Sequence, residues 1–147
     1  MQDHSKSVMI ALLPVTSDWC KIELPHLTLV YCGEIDDLSP SDYNELGKEV
    51  LDLSRRHPPL ALDVVGIDIF GSDDDPVDVL KLQATPELLS MRASVERWNA
   101  SEYDFTPHAT VGPIGSIAGN IPNRLLFDRV HLGWGDTGFN CKLVPSV

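Results

Sequence analysis

A nine-residue stretch occurs twice in this chain, and any fold the chain adopts must accommodate both copies. The first is Pro25-His26-Leu27-Thr28-Leu29-Val30-Tyr31-Cys32-Gly33 and the second is Pro107-His108-Ala109-Thr110-Val111-Gly112-Pro113-Ile114-Gly115. Pro, His, Thr and the closing Gly coincide, and an aliphatic residue follows each Thr. In an extended strand, side chains two apart share a face. His26 therefore shares a face with Thr28, and His108 with Thr110. Leu27, Leu29 and Tyr31 are expected on the opposite face, as are Ala109 and Val111. Each copy predicts a strand with an apolar back and a His/Thr front.

Two such fronts turned toward each other make a site of two imidazoles and two hydroxyls. One imidazole takes a proton while the other gives one, because an unperturbed His titrates near neutral pH. The hydroxyls of Thr28 and Thr110 donate to an anion held between them. That is the equipment for in-line displacement at a phosphodiester without a metal. Which of His26 and His108 is acid and which is base stays open. Either motif alone is ordinary strand content, since Thr is β-branched and common in strands. The pair, each after a Pro and each in its own half, carries the signal.

The paired His-x-Thr-hydrophobic motifs resemble the 2H phosphoesterase superfamily, which includes RNA 2′,5′-ligase-like proteins and 2′,3′-cyclic phosphodiesterases. The spelling is most similar to small members carried by bacteriophages. Neither copy is followed by the Arg that many ligase-like members carry. The resemblance implies catalytic residues His26 and His108, substrate-binding residues Thr28 and Thr110, and no metal or other cofactor. It also implies a single domain over residues 1–147, built as two pseudo-symmetric lobes around a central cleft.

Charge narrows the substrate. The chain holds 22 acidic and 11 basic residues, for a formal net charge of −11. Long nucleic acid is bound mainly by Lys and Arg neutralising phosphates. The expected partner is therefore a small cyclic nucleotide or a short RNA end. The 43% apolar content argues for a packed core. Cys20, Cys32 and Cys141 form no Cys-x-x-Cys and suggest neither a zinc site nor a disulfide framework. Free thiols fit a reducing cytoplasm. Cys32 is in phase with His26 and Thr28, yet a small buried residue is the commoner role. The apolar run from Val8 to Val15 is too short to span a membrane and reads as a strand. A monomer is expected.

Along the chain, Val8 to Leu13 predicts a buried strand, followed by a connection from Thr16 to Pro25. Trp19 in that connection packs across the loop or lies over the cleft. Ser39, Pro40 and Asp42 predict a capped helix over 40–56, with Tyr43, Leu46, Val50 and Leu53 as its buried stripe. Arg55 and Arg56 suit the negative end of that helix. A hairpin follows over 60–84, with a bulge expected at Gly66. Its turn, Asp73-Asp74-Asp75-Pro76, is an acidic run of the solvated kind rather than a metal site. Thr85 and Pro86 open a second helix over 86–99, with Leu88, Met91, Val95 and Trp98 on its apolar stripe. Tyr103 and Phe105 stand before the second motif, placed for base stacking or for the core. The Gly/Pro-rich stretch 112–123 is either a flap over the site or a packed surface loop. Two final strands carry Val130, Leu132 and Trp134, then Phe139, Cys141 and Leu143, joined by a turn at Asp136-Thr137-Gly138. His131 falls opposite the apolar residues, while His4 and His57 carry no signal.

Strands mixed with few helices in this order predict an α+β fold with antiparallel sheets and two main helices on the outside. The favoured function is a phosphodiesterase, a hydrolase acting on 2′,3′-cyclic phosphate or 2′,5′-type linkages. The alternatives are a slow or non-catalytic protein that sequesters a nucleotide signal, and a 2′,5′-RNA ligase-like RNA-processing protein.

Overall fold

The computed structural model describes residues 6–16, 19, 25–71, 73–117 and 120–144. His4, Cys20 and the Asp18 and Glu23 of the first connection lie outside the described residues. Seven strands and two helices follow in the order β1 (Ser7–Pro14), β2 (Leu27–Glu34), α1 (Pro40–Arg56), β3 (Leu60–Phe70), β4 (Val77–Leu82), α2 (Pro86–Ser94), β5 (His108–Pro113), β6 (Arg124–Trp134) and β7 (Thr137–Lys142). The fold is α+β and every strand pairing is antiparallel.

The strands form one path, β2-β1-β6-β3-β4-β5, with β7 added on β6. The expected two sheets are continuous because β3 serves both. Its first four residues, Leu60 to Asp63, pair with β6, and its remainder from Val64 pairs with β4. The change of partner coincides with an irregularity between Val64 and Gly66, beside the bulge anticipated at Gly66. Strand β1 is the most buried, with Val8, Ile10, Ala11 and Leu12 fully enclosed between β2 and β6.

Helix α1 begins as its sequence requires. Asp42 N–H donates to Ser39 Oγ at 3.1 Å, and Ser39 N–H donates back to Asp42 Oδ2 at 2.9 Å, a reciprocal cap. Leu46, Val50 and Leu53 are buried against β6 and β7, while Tyr43 lies at the edge of the stripe against Trp134. Helix α2 opens on a Thr85 cap, with Leu88 N–H donating to Thr85 Oγ1 at 3.2 Å. It is shorter than its apolar spacing predicts. At Val95 the backbone leaves the α region, and Val95 and Trp98 bond back three residues, to Arg92 and Val95, in a 3-10 turn over Glu96–Trp98. The three-residue spacing of the apolar side chains suits that tighter winding.

Two turns differ from expectation. The β6–β7 loop is Gly135-Asp136, with Trp134 paired to Thr137, so Thr137 and Gly138 already belong to β7. Gly138 has φ +150°, and a Cβ there would meet the Leu132 carbonyl oxygen at 2.1 Å, so glycine is required. In the stretch 112–123, Ser116 is buried and Ile117 and Ile121 pack against the core. The described part of this stretch is thus a packed loop.

Candidate active site

The two ends of the strand path meet at the motifs. His26 N–H donates to the Thr110 carbonyl at 3.1 Å, and Thr110 N–H donates to the His26 carbonyl at 2.7 Å. Directly paired residues of an antiparallel ladder put their side chains on the same side. His26 and Thr110 therefore share a face, and strand alternation adds Thr28 and His108 to it. The pairing is an isolated bridge rather than a ladder. Beyond it the strands part, and Thr28 and His108, which a continued ladder would pair, line one open cavity of about 1220 Å³. His26 and Thr110 are not among the residues that line it.

His108 is held from two sides. Its Nδ1 lies 2.6 Å from the Thr106 carbonyl oxygen, and a carbonyl only accepts, so Nδ1 carries the proton. Nε2 is then the nitrogen left for chemistry in the neutral ring. The Phe70 ring meets the imidazole edge-on, with centroids 4.7 Å apart. Phe70 ends β3, so the hairpin that spans both halves also orients this histidine. Thr28 Oγ1 lies 3.7 Å from Met9 Sδ, a weak acceptor that leaves the hydroxyl available to a stronger one.

The cavity walls come from three further segments. The β3–β4 turn contributes Gly71, Asp74 and Asp75. Gly71 has φ +97°, and a Cβ would lie 2.6 Å from the Asp75 carbonyl oxygen, so the turn closes this tightly only with glycine. The segment before the second motif contributes Tyr103, 86% exposed, and Phe105, which also packs against the core. Helix α2 contributes Arg92. No residue of 112–123 is among the described lining residues; 99–106 forms that wall instead.

One assignment is corrected. Tyr31 was expected behind the strand, opposite Thr28, but both line the cavity. The β1–β2 register slips between Ile10 and Ala11, leaving Leu29 as an extra residue on β2. That bulge reverses the alternation and brings Tyr31 round to the Thr28 side. A second slip, between Val8 and Met9, makes Cys32 extra. Cys32 is 6% exposed, and burial pushes its thiol up to about 12, so it stays protonated at neutral pH. Burial, and then the charge of Glu34, also raise the Tyr31 phenol.

The remaining candidates lie elsewhere. Trp19 is buried in the core. Arg55 and Arg56 are exposed at the end of α1, away from the cavity lining. His131 Nδ1 pairs with Asn140 Oδ1 on β7. His57 bonds Glu87 at 2.6 Å, joining the end of α1 to the start of α2. Arg92 was missed by the sequence reading, because one Arg near the end of an amphipathic helix gives no sign of facing inward. Among the described residues no group of three or more His, Cys, Asp or Glu side chains is gathered in a metal-binding arrangement. No helix among them is long and apolar enough to cross a membrane.

Strand path, paired motifs and open cavity together define an α+β phosphoesterase-like architecture. The 2′-5′ RNA ligase superfamily profile matches residues 21–116, and the chain belongs to that family. Membership supports a phosphodiesterase or RNA-processing function. The fold is similar to Kluyveromyces marxianus Usb1, with TM-score 0.64 at 10% identity over 95% of this chain and 99% of that one. It is similar to TT0787 of Thermus thermophilus, with TM-score 0.57 at 16% identity over 93% of this chain and 94% of that one. It is also similar to E. coli LigT complexed with 3′-AMP, with TM-score 0.52 at 18% identity over 95% of each chain. No curated protein sequence matches the chain.

Proposed function

We propose that this protein is a metal-independent phosphodiesterase that hydrolyses a 2′,3′-cyclic phosphate, or a related 2′,5′-type linkage, in a nucleotide or short RNA end. The observation that carries the reading is the reciprocal backbone bridge between His26 and Thr110, which joins the two motifs and turns their His and Thr side chains to one face. One neutral imidazole takes a proton from water as its oxygen attacks phosphorus. The P–O bond to the leaving ribose oxygen breaks in line, and the other, protonated imidazole gives that oxygen its proton. Thr28 and Thr110 donate to the non-bridging oxygens as charge grows on them. His108 acts through Nε2 in either role, because Nδ1 is committed to Thr106. The product is a phosphomonoester, and each histidine has exchanged its protonation state for the other's.

The cavity, at about 1220 Å³, is larger than the roughly 300–1000 Å³ common for small-ligand pockets and has room for a nucleotide. A nucleotide ligand is also named for the similar fold of E. coli LigT, whose structure is known with 3′-AMP. The acidic balance of the chain favours such a ligand over long RNA. The test is a panel of nucleoside 2′,3′-cyclic phosphates and short oligomers ending in one, incubated in EDTA and read by mass spectrometry for gain of one water. Turnover by the wild-type protein, lost in the double variant His26→Ala/His108→Ala, supports the reading. Turnover that survives in the double variant sinks it. Tight nucleotide binding with no turnover would favour a signal-sequestering protein instead. Joining or trimming of RNA ends without cyclic-phosphate hydrolysis would favour the RNA-processing alternative.

A further inference from the structure

Arg92 is 8% exposed, yet it lines the same cavity as Thr28 and His108. Among the described lining residues it is the only Lys or Arg, and the acidic side chains there are Asp74, Asp75 and Asp104. Its guanidinium is incompletely satisfied. One terminal nitrogen, Nη1, pairs with Glu96, and the Phe105 ring lies with its centroid 5.4 Å from Cζ. The Nε–H is buried and has no hydrogen-bond partner among the described residues. Arg124 and Arg129 behave differently. Arg124 Nε donates to Asp63 at 2.9 Å, and Arg129 Nε donates to Asp128 at 3.0 Å. Buried polar groups are almost always paired, so an unpaired one on a cavity wall calls for a ligand.

We propose that Arg92 is a substrate-binding residue whose Nε edge receives an anionic oxygen of the phosphate group. The proposal deepens the phosphodiesterase reading and rests on it for the identity of the substrate. A guanidinium presents its donors as a planar fork, and with Nη1 engaged by Glu96 the edge bearing Nε matches two oxygens of one phosphate. Neither motif contains a Lys or Arg, so the histidines and threonines lack a permanent positive charge of their own. Arg92 supplies it from the helix, and Phe105 fixes the plane of the fork. The three aspartates of the cavity lining select against further phosphates, so the site accepts one phosphate beside a base rather than a run of them.

The test uses the wild-type protein first, with inorganic phosphate as the probe. The Arg92 Nε–H resonance in a proton–nitrogen correlation spectrum, assigned by its absence in Arg92→Lys, is expected to shift on titration with phosphate. Arg92→Met is expected to weaken phosphate binding at least tenfold by calorimetry and to raise KM for a nucleoside 2′,3′-cyclic phosphate more than it lowers kcat. Arg92→Lys is expected not to restore affinity, because an ammonium lacks the fork. A resonance unmoved by phosphate overturns the proposal, as does unchanged affinity in Arg92→Met or full affinity in Arg92→Lys. If Arg92→Met fails to fold, the wild-type titration still decides. Turnover with an unmoved resonance sinks this proposal alone. A shifted resonance without turnover of any cyclic phosphate sinks the phosphodiesterase reading and leaves the anion site standing.

Discussion

His26 and Thr110 exchange both of their backbone hydrogen bonds, at 3.1 and 2.7 Å, at a bridge where β5 meets the chain leading into β2. The bridge places the two motifs head to tail. A twofold axis one residue further along, between Leu27 and Ala109, would relate His26 to His108 and Thr28 to Thr110. In the proposed reaction each motif would bring one imidazole and one hydroxyl to the phosphate.

His26→Ala and His108→Ala should each lower kcat for cyclic-phosphate hydrolysis by roughly two to four decades, the range for losing a general acid or base. The wild-type pH–rate profile should be bell-shaped, with one limb lost in each variant. Initial rates across pH 5–9 check this, and a variant within a factor of a few of wild type would remove that histidine from the mechanism.

Phe70→Leu keeps an apolar side chain but removes the edge-on ring contact at 4.7 Å from His108. An aromatic pair of this kind contributes about 0.5–1.5 kcal/mol. If that energy serves to orient the imidazole, kcat should fall about three- to tenfold with KM little changed. Circular dichroism and a denaturant midpoint matching wild type separate this from a loss of folding, which would also lower apparent kcat at constant KM.

Alkaline stability should fall because of Cys32. Its folded thiol is pushed up to about 12 from an ordinary value of 9.0. An unfolded chain ionises this thiol above about pH 9 while the folded chain cannot, so stability is full below pH 9 and declines as pH rises toward 12. Tyr31, also raised, adds to the decline above its ordinary value of 10.0. Urea midpoints at pH 7 and pH 10 should differ more in the wild type than in Cys32→Ala. The buried thiol should also react with iodoacetamide more slowly than Cys141, which is partly exposed.

Ser39→Ala removes one arm of the reciprocal cap of α1 and should cost about 1 kcal/mol of stability. Ser39 is not among the residues lining the cavity, and the change should leave kcat/KM unchanged. Denaturant titration with parallel kinetics provides this control for the site variants.

A fluorescent RNA twenty nucleotides long should show no measurable binding by anisotropy at physiological salt. The chain's charge of −11 opposes a phosphate backbone, and the cavity lining adds three aspartates to one arginine. Tight, salt-sensitive binding would point to a basic surface outside the cavity.

Much of this was legible because it is local. Capping residues set where both helices begin, and the His-x-Thr spacing located the site strands. What escaped was non-local or a matter of one extra residue. The bulge at Leu29 reverses the strand alternation, so Tyr31 reaches the cavity against its phase. No periodicity announces such an insertion. Arg92 follows Met91 on α2 and reads as solvent-facing, but the turn at Val95 and the ring of Phe105 enclose it. Of the wall at 99–106 only Tyr103 and Phe105 were legible, and the flap reading of 112–123 missed that Ile117 and Ile121 pack against the core.

Strand β6 lies between β1 and β3 in space, although both motifs precede it in the chain. During synthesis, therefore, every residue assigned to chemistry is polymerised before the strand that joins their two halves. Catalytic competence should arrive abruptly, with the final hairpin, and a chain stopped before residue 124 should possess all four motif side chains and no working enzyme.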